Sequence, residues 1–267
     1  FFLLTMQELG VPLNAHRWFV DENISISQQV DEWWASWGQV FILIGVLYLP
    51  LVFGLQFIWR KIPAVNLKLW RIVHNVAFCV FSTIGAVELF PTMYNTIILA
   101  SGFKETVCGG YYISRPESFW LIVFGTSKAF ELIESFYFIV EKKPIPFIHW
   151  YHHIMTYIFT INSLYLKDTS ILYYAWMNYT VHAIMYFYYS LASLTNSRPA
   201  WAPIVTVLQI LQMFVGTAVV FTVYFCSPPH DMLNTTFGFL MYLSYIYLFC
   251  NFFLNRYIFK KPKRKTK

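Results

Sequence analysis

The stretch His149-Trp150-Tyr151-His152-His153 begins an apolar run that extends to about residue 166. It holds three of the seven histidines of the chain. Residues three and four positions apart share a helix face, so His149, His152 and His153 are expected to form one imidazole cluster. Ionisable side chains at membrane depth are costly and usually line a bundle interior or a cavity. The pattern therefore predicts a membrane helix that carries part of a functional site.

The composition is typical of a polytopic membrane protein. Hydrophobic residues make up 58% of the chain and charged residues 12%, whereas soluble domains average about 25% charged residues. A helical span needs roughly 20 mostly apolar residues. We therefore predict an all-α membrane protein with seven transmembrane helices in a single domain, residues 1–267, with the second stretch tilted or broken at Pro91. The seven stretches are residues 38–59, 72–99, 119–140, 149–166, 171–192, 201–226 and 233–255.

The basic residues are distributed asymmetrically, which predicts the orientation in the membrane. Fourteen lysines and arginines follow the first, third, fifth and seventh stretches, against four on the opposite side. Because cytoplasmic loops are enriched in basic residues, we predict a lumenal N-terminal segment, residues 1–37, and a basic cytosolic tail, residues 256–267. Most of the net charge of +6 lies in this tail. We therefore expect it to meet membrane lipids and expect no nucleic-acid partner.

Short signals at the predicted lumenal side agree with this orientation. The sequons at Asn23 and Asn234 could be glycosylated there, and Cys108 and Cys226 could pair there. The sequence leaves both the glycans and the pairing open. The last five residues, Lys-Arg-Lys-Thr-Lys, resemble a dilysine signal for retrieval to the endoplasmic reticulum, and they would equally suit anionic lipids. We therefore predict a multi-pass protein of the endoplasmic reticulum membrane.

Charged residues inside the third stretch indicate a polar site within the membrane. On a helix, Lys128, Glu131 and Ser135 share one face, and Glu134 lies at its edge. A buried lysine needs a partner, which Glu131 is placed to supply. The alternative interpretation is a structural ion pair that only joins two helices.

The fifth and sixth stretches add further polar residues. Asn178 and His182 share a face with Tyr186 turned slightly away, and Gln209 and Gln212 are neighbours on the sixth stretch. Any one of them could form an interhelical hydrogen bond, worth roughly 0.6 kcal/mol on average. Such bonds do not need four histidines, a lysine and two glutamates. We therefore predict one polar cavity that opens to the cytosol and suits an amphiphile with an anionic head and an apolar tail.

Three classes of function are compatible with these residues. A membrane di-iron desaturase or hydroxylase also carries adjacent histidines, but at most five histidines lie near this cavity, which are few for two iron ions. Imidazole can instead act as a base or as a nucleophile toward an acyl group, with amides holding an oxyanion. A receptor or transporter would also fit seven spans, although no internal repeat is visible.

The ordered polar motifs resemble those of the fatty acid elongase family. The segment from His149 to His153 resembles the family's HxxHH box. The other matches are Lys128…Glu131…Glu134-Ser135 to KxxExxDT, Asn178…His182…Met185-Tyr186 to NxxxHxxMY, and Thr206…Gln209…Gln212 to TxxQxxQ. One departure is that Glu134-Ser135 replaces an Asp-Thr pair, which keeps the charge and the hydroxyl but lengthens the carboxylate by one methylene.

This resemblance implies a fold and an activity. Six of the seven helices would form a barrel around a closed-end acyl tunnel. The protein would be a very-long-chain 3-oxoacyl-CoA synthase, which joins a long-chain acyl-CoA to malonyl-CoA and releases CO2 and CoA, with no metal and no further cofactor. A ketoacyl reductase, a dehydratase and an enoyl reductase of the same membrane would complete the cycle, and a homodimer stays open.

The resemblance also suggests roles for the candidate residues. His152 would be the acyl-accepting nucleophile, with His149 and His153 orienting it, while His182 and Asn178 would bind the malonyl unit. Direct condensation, with histidine as base only, is the alternative. Trp150 within the histidine box favours saturated or monounsaturated acyl chains, with branched chains also open. The remaining candidates would bind substrate: Lys128, Glu131, Glu134, Ser135, Tyr186, Gln209 and Gln212.

Overall fold

The computed structural model describes residues 26–99, 102–108, 115–168, 170–226 and 231–259. Within these ranges the chain is helical and contains no strand. A 3-10 turn at Trp59–Lys61 follows the first helix, and a π-helical turn at Leu254–Ile258 follows the last. The helices are α1 Ile26–Ile58, α2 Lys68–Leu99, α3 Phe103–Cys108, α4 Arg115–Glu131, α5 Glu134–Val140, α6 Phe147–Tyr165, α7 Ile171–Thr195, α8 Ala202–Val223 and α9 Met232–Phe253.

Four of these helices, α1, α2, α8 and α9, are long and apolar enough to cross a membrane. The protein is therefore a multi-pass membrane protein. The predicted third, fourth and fifth spans coincide with α4 plus α5, with α6 and with α7, and these helices carry the polar residues of the motifs. The most buried of them, α7, packs chiefly against α2 and α8. The count of seven spans and the barrel stay predictions.

Two details of the predicted spans differ from the structure, and part of the predicted tail lies outside the described residues. The first helix begins at Ile26 rather than near residue 38, so part of the predicted lumenal segment is helical, while residues 1–25 lie outside the described ranges. Pro91 lies inside α2 and does not break it. A proline removes one backbone hydrogen bond, a loss that helices in membranes tolerate. Of the basic tail, residues 260–267 lie outside the described ranges.

The predicted third span is interrupted at Leu132 and Ile133. There the backbone N–H of Ile133 donates to the oxygen of Phe130 at 3.1 Å, and that of Ser135 donates to the oxygen of Leu132 at 3.3 Å. These bonds span three residues rather than four, so the chain is wound more tightly than an α-helix. The break therefore separates Lys128 and Glu131, on α4, from Glu134, which begins α5.

A disulfide lies at the end of the bundle where α8 ends, opposite the end where α8 begins. Cys108, the last residue of α3, pairs with Cys226, three residues beyond the end of α8. Their Cα atoms are 5.2 Å apart, and 118 positions separate them in the sequence. The structure thus settles the pairing that the sequence left open. The bond ties the short helix α3 to the core of the bundle.

The sequon at Asn234 is buried. Asn234 is 3% exposed, its amide nitrogen donates to the Ser163 hydroxyl at 3.0 Å, and its amide oxygen accepts from Asn162 at 2.9 Å. A glycosylated asparagine must lie at the surface, so the burial of Asn234 argues against a glycan there, a point that the sequence left open. The other sequon, at Asn23, lies outside the described residues.

Close approach of α2 and α7 depends on a glycine. A Cβ atom added to Gly85 would lie 2.7 Å from Cζ of Tyr179. The Tyr179 ring is 1% exposed, and its hydroxyl donates to the backbone oxygen of Trp120 on α4 at 3.0 Å. The ring therefore has little room to move. This packing fixes α7, and with it the polar residues on its middle turns, relative to α2 and α4.

Candidate active site

The first part of the site is a buried group that we call the lysine cluster: Lys128, Glu131, Asn178 and His182. The Lys128 Nζ donates to Glu131 Oε1 at 2.6 Å and to Asn178 Oδ1 at 2.7 Å. His182 Nδ1 lies 3.8 Å from the same Glu131 oxygen. All four residues are buried. The predicted pairing of Lys128 with Glu131 is therefore present, and the pair also joins α4 to α7.

The electrostatics of this cluster follow from its composition. One ammonium and one carboxylate cancel in net charge, but both sit where water is scarce, so their local field is strong. Because the Asn178 oxygen accepts from Lys128, its NH2 group points its donors elsewhere. An amide donor and an imidazole beside an ammonium suit a group that develops negative charge.

The second part of the site, which we call the glutamate cluster, is centred on Glu134 of α5. Its Oε1 lies 3.2 Å from Nε2 of His74 on α2 and accepts from the Tyr186 hydroxyl on α7 at 2.7 Å. Its Oε2 lies 3.5 Å from Nε2 of His153 on α6. One carboxylate therefore meets side chains from three other helices. This role could not be read from the sequence, where Glu134 departs from the family's aspartate.

The three histidines of the box divide between two neighbourhoods. The His149 and His153 ring centroids are 4.3 Å apart, and Nε2 of His149 is buried without a hydrogen-bond partner. The His152 ring lies 5.6 Å from that of His153 but 4.9 Å from that of Tyr245 on α9. The predicted imidazole cluster is thus present. However, His149 and His153 face the glutamate cluster, while His152 faces α9.

The break after α4 redirects Ser135. Its hydroxyl lies 2.6 Å from that of Tyr48 on α1, and its side chain is fully buried. The shared face predicted for Lys128, Glu131 and Ser135 therefore ends at Glu131. The prediction of Ser135 on this face required a continuous helix, and the helix is interrupted after Glu131. Ser135 joins α5 to α1 instead of facing Asn178.

Of the two glutamines predicted to bind substrate on α8, only Gln209 has a side-chain contact described in the structure. Gln209 is half-buried, and its amide nitrogen lies 3.2 Å from the sulfur of Met185 on α7. Gln212 is buried one turn further along the helix. Gln209 therefore lies on the side of α8 that meets α7. No hydrogen bond described in the structure links either glutamine to the lysine cluster or the glutamate cluster.

A cavity of about 570 Å³ opens at the end of the bundle where α2, α6 and α8 begin. Its inner wall includes Glu134, His149 and His74, and Tyr189 of α7 also lines it. Its mouth is basic, with Lys68, Arg71, Lys143 and Arg198 lining it. The cavity therefore connects the glutamate cluster with the loops that were predicted to be cytosolic.

One carboxylate at this mouth organises two of the cations. Glu141 pairs with Arg71 at 2.5 Å and with Lys143 at 2.6 Å, and its side chain is 7% exposed. Lys68 instead donates to the amide oxygen of Asn196 at 2.8 Å. The mouth thus keeps an excess of positive charge.

Known proteins resemble this chain over most of its length. The sequence model of the GNS1/SUR4 family matches residues 33–266. The chain is 33% identical to human very long chain fatty acid elongase 3 over 265 residues, which cover 97% of this chain and 98% of the relative. It is 34% identical to human very long chain fatty acid elongase 6 over 251 residues, covering 91% and 92%. The chain belongs to the fatty acid elongase family. Fatty acid elongase 3 of Trypanosoma brucei brucei is likewise 34% identical to this elongase over 267 residues, covering 87% and 88%.

Sequence reasoning missed Tyr48 and Tyr245 around the site of this elongase, and it counted His74 only as a possible fifth histidine near the cavity. His74 bonds to Glu134, Tyr48 bonds to Ser135, and Tyr245 donates to the backbone oxygen of His152 at 3.0 Å. A single histidine in the second apolar stretch was a visible signal for His74. Nothing in the sequence distinguishes Tyr48 or Tyr245 from the 17 other tyrosines of the chain.

Proposed function

We propose that this elongase joins a long-chain acyl-CoA to malonyl-CoA and forms a 3-oxoacyl-CoA two carbons longer, CO2 and CoA. The observation that carries the proposal is the contact of the histidine box with the glutamate cluster, in an apolar bundle that also holds the lysine cluster on α4 and α7. With the family assigned, the di-iron oxygenase and the receptor or transporter lose the support they had from the sequence. The chemistry proposed uses side chains alone, with no metal and no cofactor besides the two CoA thioesters.

The basic cavity supports binding of the CoA head group. A CoA carries several phosphate charges, and clefts lined by one sign of charge concentrate ligands of the opposite sign. Glu141 engages Arg71 and Lys143, so Lys68 and Arg198 are the cations at the mouth that are not paired with it. The pantetheine would then extend toward His149 and Glu134. The acyl chain would enter the predicted tunnel, in the direction of His152.

In the first proposed step, an imidazole nitrogen of His152 attacks the thioester carbonyl. The carbon–sulfur bond breaks, and the departing thiolate takes the proton that the acylated imidazole loses, relayed by His153. Glu134, 3.5 Å from His153, would hold that ring in position and stabilise its protonated form. The products are an acyl-imidazole on His152 and free CoA.

In the second step, malonyl-CoA loses CO2 and the resulting enolate attacks the acyl carbon. The carbon–nitrogen bond to His152 breaks, and the departing imidazolate takes up a proton from water, relayed by His153, which regenerates the imidazole. The enolate oxygen would be stabilised by Asn178 and His182, next to the positive charge of Lys128. In direct condensation, by contrast, the enolate would attack the acyl thioester itself with histidine as base.

The finer assignments rest on the sequence. Trp150 supports a preference for saturated or monounsaturated chains, and branched chains stay within the proposal. The charge asymmetry and the basic tail support an endoplasmic reticulum membrane with a lumenal N-terminus and a cytosolic C-terminus. There the reductases and the dehydratase of the cycle would take up the product. A homodimer, seven spans and the six-helix barrel are part of the same proposal.

The experiment uses the chain purified in detergent, with palmitoyl-CoA and labelled malonyl-CoA but without NADPH. Labelled 3-oxoacyl-CoA is expected from wild type, unchanged by chelator, and from the control Ile158→Ala, whose side chain is exposed on the same helix. His152→Ala should form none. Mass spectrometry after incubation with acyl-CoA alone should find the acyl group on His152. Acyl transfer without any such adduct would favour direct condensation, and an active His152→Ala would refute both routes.

A further inference from the structure

The arrangement around Glu134 has the composition of a metal site. His149 and His153 lie four positions apart on α6, so their rings lie on one helix face, and Glu134 comes from a second helix. One ligand atom from each of these three residues lies within 4.8 Å of the other two. Two histidines at this spacing with a glutamate from elsewhere are the ligand set of several zinc enzymes. We propose that Glu134, His149 and His153 bind a divalent transition-metal ion, with Zn²⁺ as the fitting case, and that the bound ion inhibits the enzyme.

The distances fit zinc. Zinc bonds to nitrogen and oxygen of about 2.0–2.2 Å in a tetrahedron place neighbouring ligand atoms roughly 3.3–3.5 Å apart. Nε2 of His153 and Oε2 of Glu134 are 3.5 Å apart. A metal ion between them would bind both atoms. Small side-chain rotations would close the remaining distance to His149.

His149 supplies an independent reason to expect a ligand. Its Nε2 is buried and has no hydrogen-bond partner, although buried polar atoms usually have one. It lies beside the other two members, since its ring is 4.3 Å from that of His153. A metal ion at this position would satisfy that nitrogen.

The surroundings of Glu134 would orient it as a ligand. Its Oε1 is occupied by His74 and by the Tyr186 hydroxyl, while Oε2 faces His153. Hydrogen bonds of this kind to the second oxygen of a ligating carboxylate fix its direction and strengthen metal binding. The cavity that Glu134 and His149 line offers an entry path and room for a water molecule as fourth ligand. The basic mouth opposes entry of a cation, so we expect moderate affinity.

Inhibition follows from the residues that the ion would occupy. Metal-bound His153 and Glu134 could no longer relay a proton to or from His152. The inhibition therefore rests on the proposed function, whereas metal binding does not. The proposed catalysis stays metal-free, and the ion acts as an inhibitor rather than a cofactor.

Binding is tested on the detergent-purified protein after chelator dialysis, without substrate. Competition with a chromophoric zinc indicator should give one zinc per chain at this site in wild type. The matched control is His152→Gln, which removes an imidazole one position from a ligand and should bind zinc as wild type does. His149→Gln and Glu134→Gln should bind at least about tenfold more weakly, since loss of even an outer-shell partner costs 10–100-fold. No zinc in wild type, or equal affinity in these two variants, would refute the site.

Two measurements on the wild type keep the proposal testable if a variant misfolds. One equivalent of Co²⁺ should give the intense visible absorption of a four- or five-coordinate ion. A weak spectrum like that of the hydrated ion would count against this ligand set. Zinc at the measured Kd should also halve condensation, with recovery after chelator. Binding without inhibition would refute only the inhibitory role, and inactivity of the metal-free enzyme would refute the proposed function instead.

Discussion

Replacing Glu131 by leucine should strongly destabilise the protein. The substitution removes the carboxylate that lies 2.6 Å from Lys128 Nζ, in a position where both side chains are about 3% exposed. Breaking a buried ion pair by removing one partner costs roughly 3–5 kcal/mol. The hydrogen bond from Lys128 to Asn178 exists before and after the substitution, so it cannot offset the loss.

A ceiling on this cost comes from deprotonation. A lysine of ordinary pKa, about 10.4, can lose its proton at pH 7 for about 4.6 kcal/mol, so a larger penalty would be avoided by neutralisation. By comparison, a neutral hydrogen bond between membrane helices averages about 0.6 kcal/mol. The expected loss for Glu131→Leu is therefore about 3–4.6 kcal/mol, well above the value for a simple interhelical contact.

A second substitution tests the cause. In the double variant Lys128→Met/Glu131→Leu no charge is left unpaired, and the remaining cost is the unsatisfied Asn178 amide, about 1–3 kcal/mol. The double variant should thus be more stable than Glu131→Leu alone. Phe130→Leu, on the exposed side of α4, is the control and should change stability by less than about 0.5 kcal/mol.

The assay is unfolding by SDS titrated into mild-detergent micelles, followed by the fluorescence of the ten tryptophans. It gives the free energy of unfolding of each variant. If Glu131→Leu costs no more than the Phe130→Leu control, or if the double variant is the less stable of the two, the reasoning from a desolvated ion pair fails.

Three further expectations concern packing and covalent structure. Denatured, unreduced protein should react with two equivalents of a maleimide, and reduced protein with four, because Cys108 and Cys226 are paired. Cys226→Ser should also lower the free energy of unfolding by about 2–4 kcal/mol. Gly85→Ala should cost about 1–3 kcal/mol through overpacking, while Gly54→Ala, with nothing within 4 Å of the added Cβ, should be neutral or stabilising in the same unfolding assay. The change in electrophoretic mobility caused by glycosidase treatment should be the same for wild type and Asn234→Gln.

Each of these three expectations would be contradicted by a specific result. Four reactive thiols before reduction would mean that the disulfide is absent. Equal effects of the two alanine substitutions would mean that the close contact at Gly85 is not rigid. A glycosidase-sensitive shift in wild type that disappears with Asn234→Gln would place that asparagine at the surface.

Much of the helical architecture could be predicted from apolar runs and loop composition. The predicted stretches 149–166, 171–192, 201–226 and 233–255 coincide with α6 to α9 to within a few residues. Hydropathy works here because a helix is the only open-chain structure that satisfies its own backbone in lipid. It could not find the break at Leu132, because leucine and isoleucine there are apolar and no proline or glycine marks it.

The candidate site was only partly predictable for a related reason. Spacing along one helix correctly paired Lys128 with Glu131 and His149 with His153. Contacts between helices depend on packing, which spacing does not contain, so the bonds that His74 and Tyr186 form with Glu134 could not be assigned. The burial of Asn234 was missed for the same reason, since a sequon shows only what lies beside it in the chain.

Because the helix is broken between α4 and α5, the direction of Glu134 in the glutamate cluster does not follow from the helical periodicity that places Lys128 and Glu131 in the lysine cluster. In an unbroken helix, each added residue rotates everything beyond it by about 100°. The angle between the Lys128 and Glu134 side chains around the helix axis would then be fixed by the number of residues between them. Here the tight turn at Leu132 and Ile133 changes that angle. A residue inserted between Ile133 and Glu134 would swing the carboxylate away from His153 while leaving Lys128, Glu131 and Asn178 in place. The direction of Glu134 is thus determined by the length of this turn rather than by the periodicity of α4.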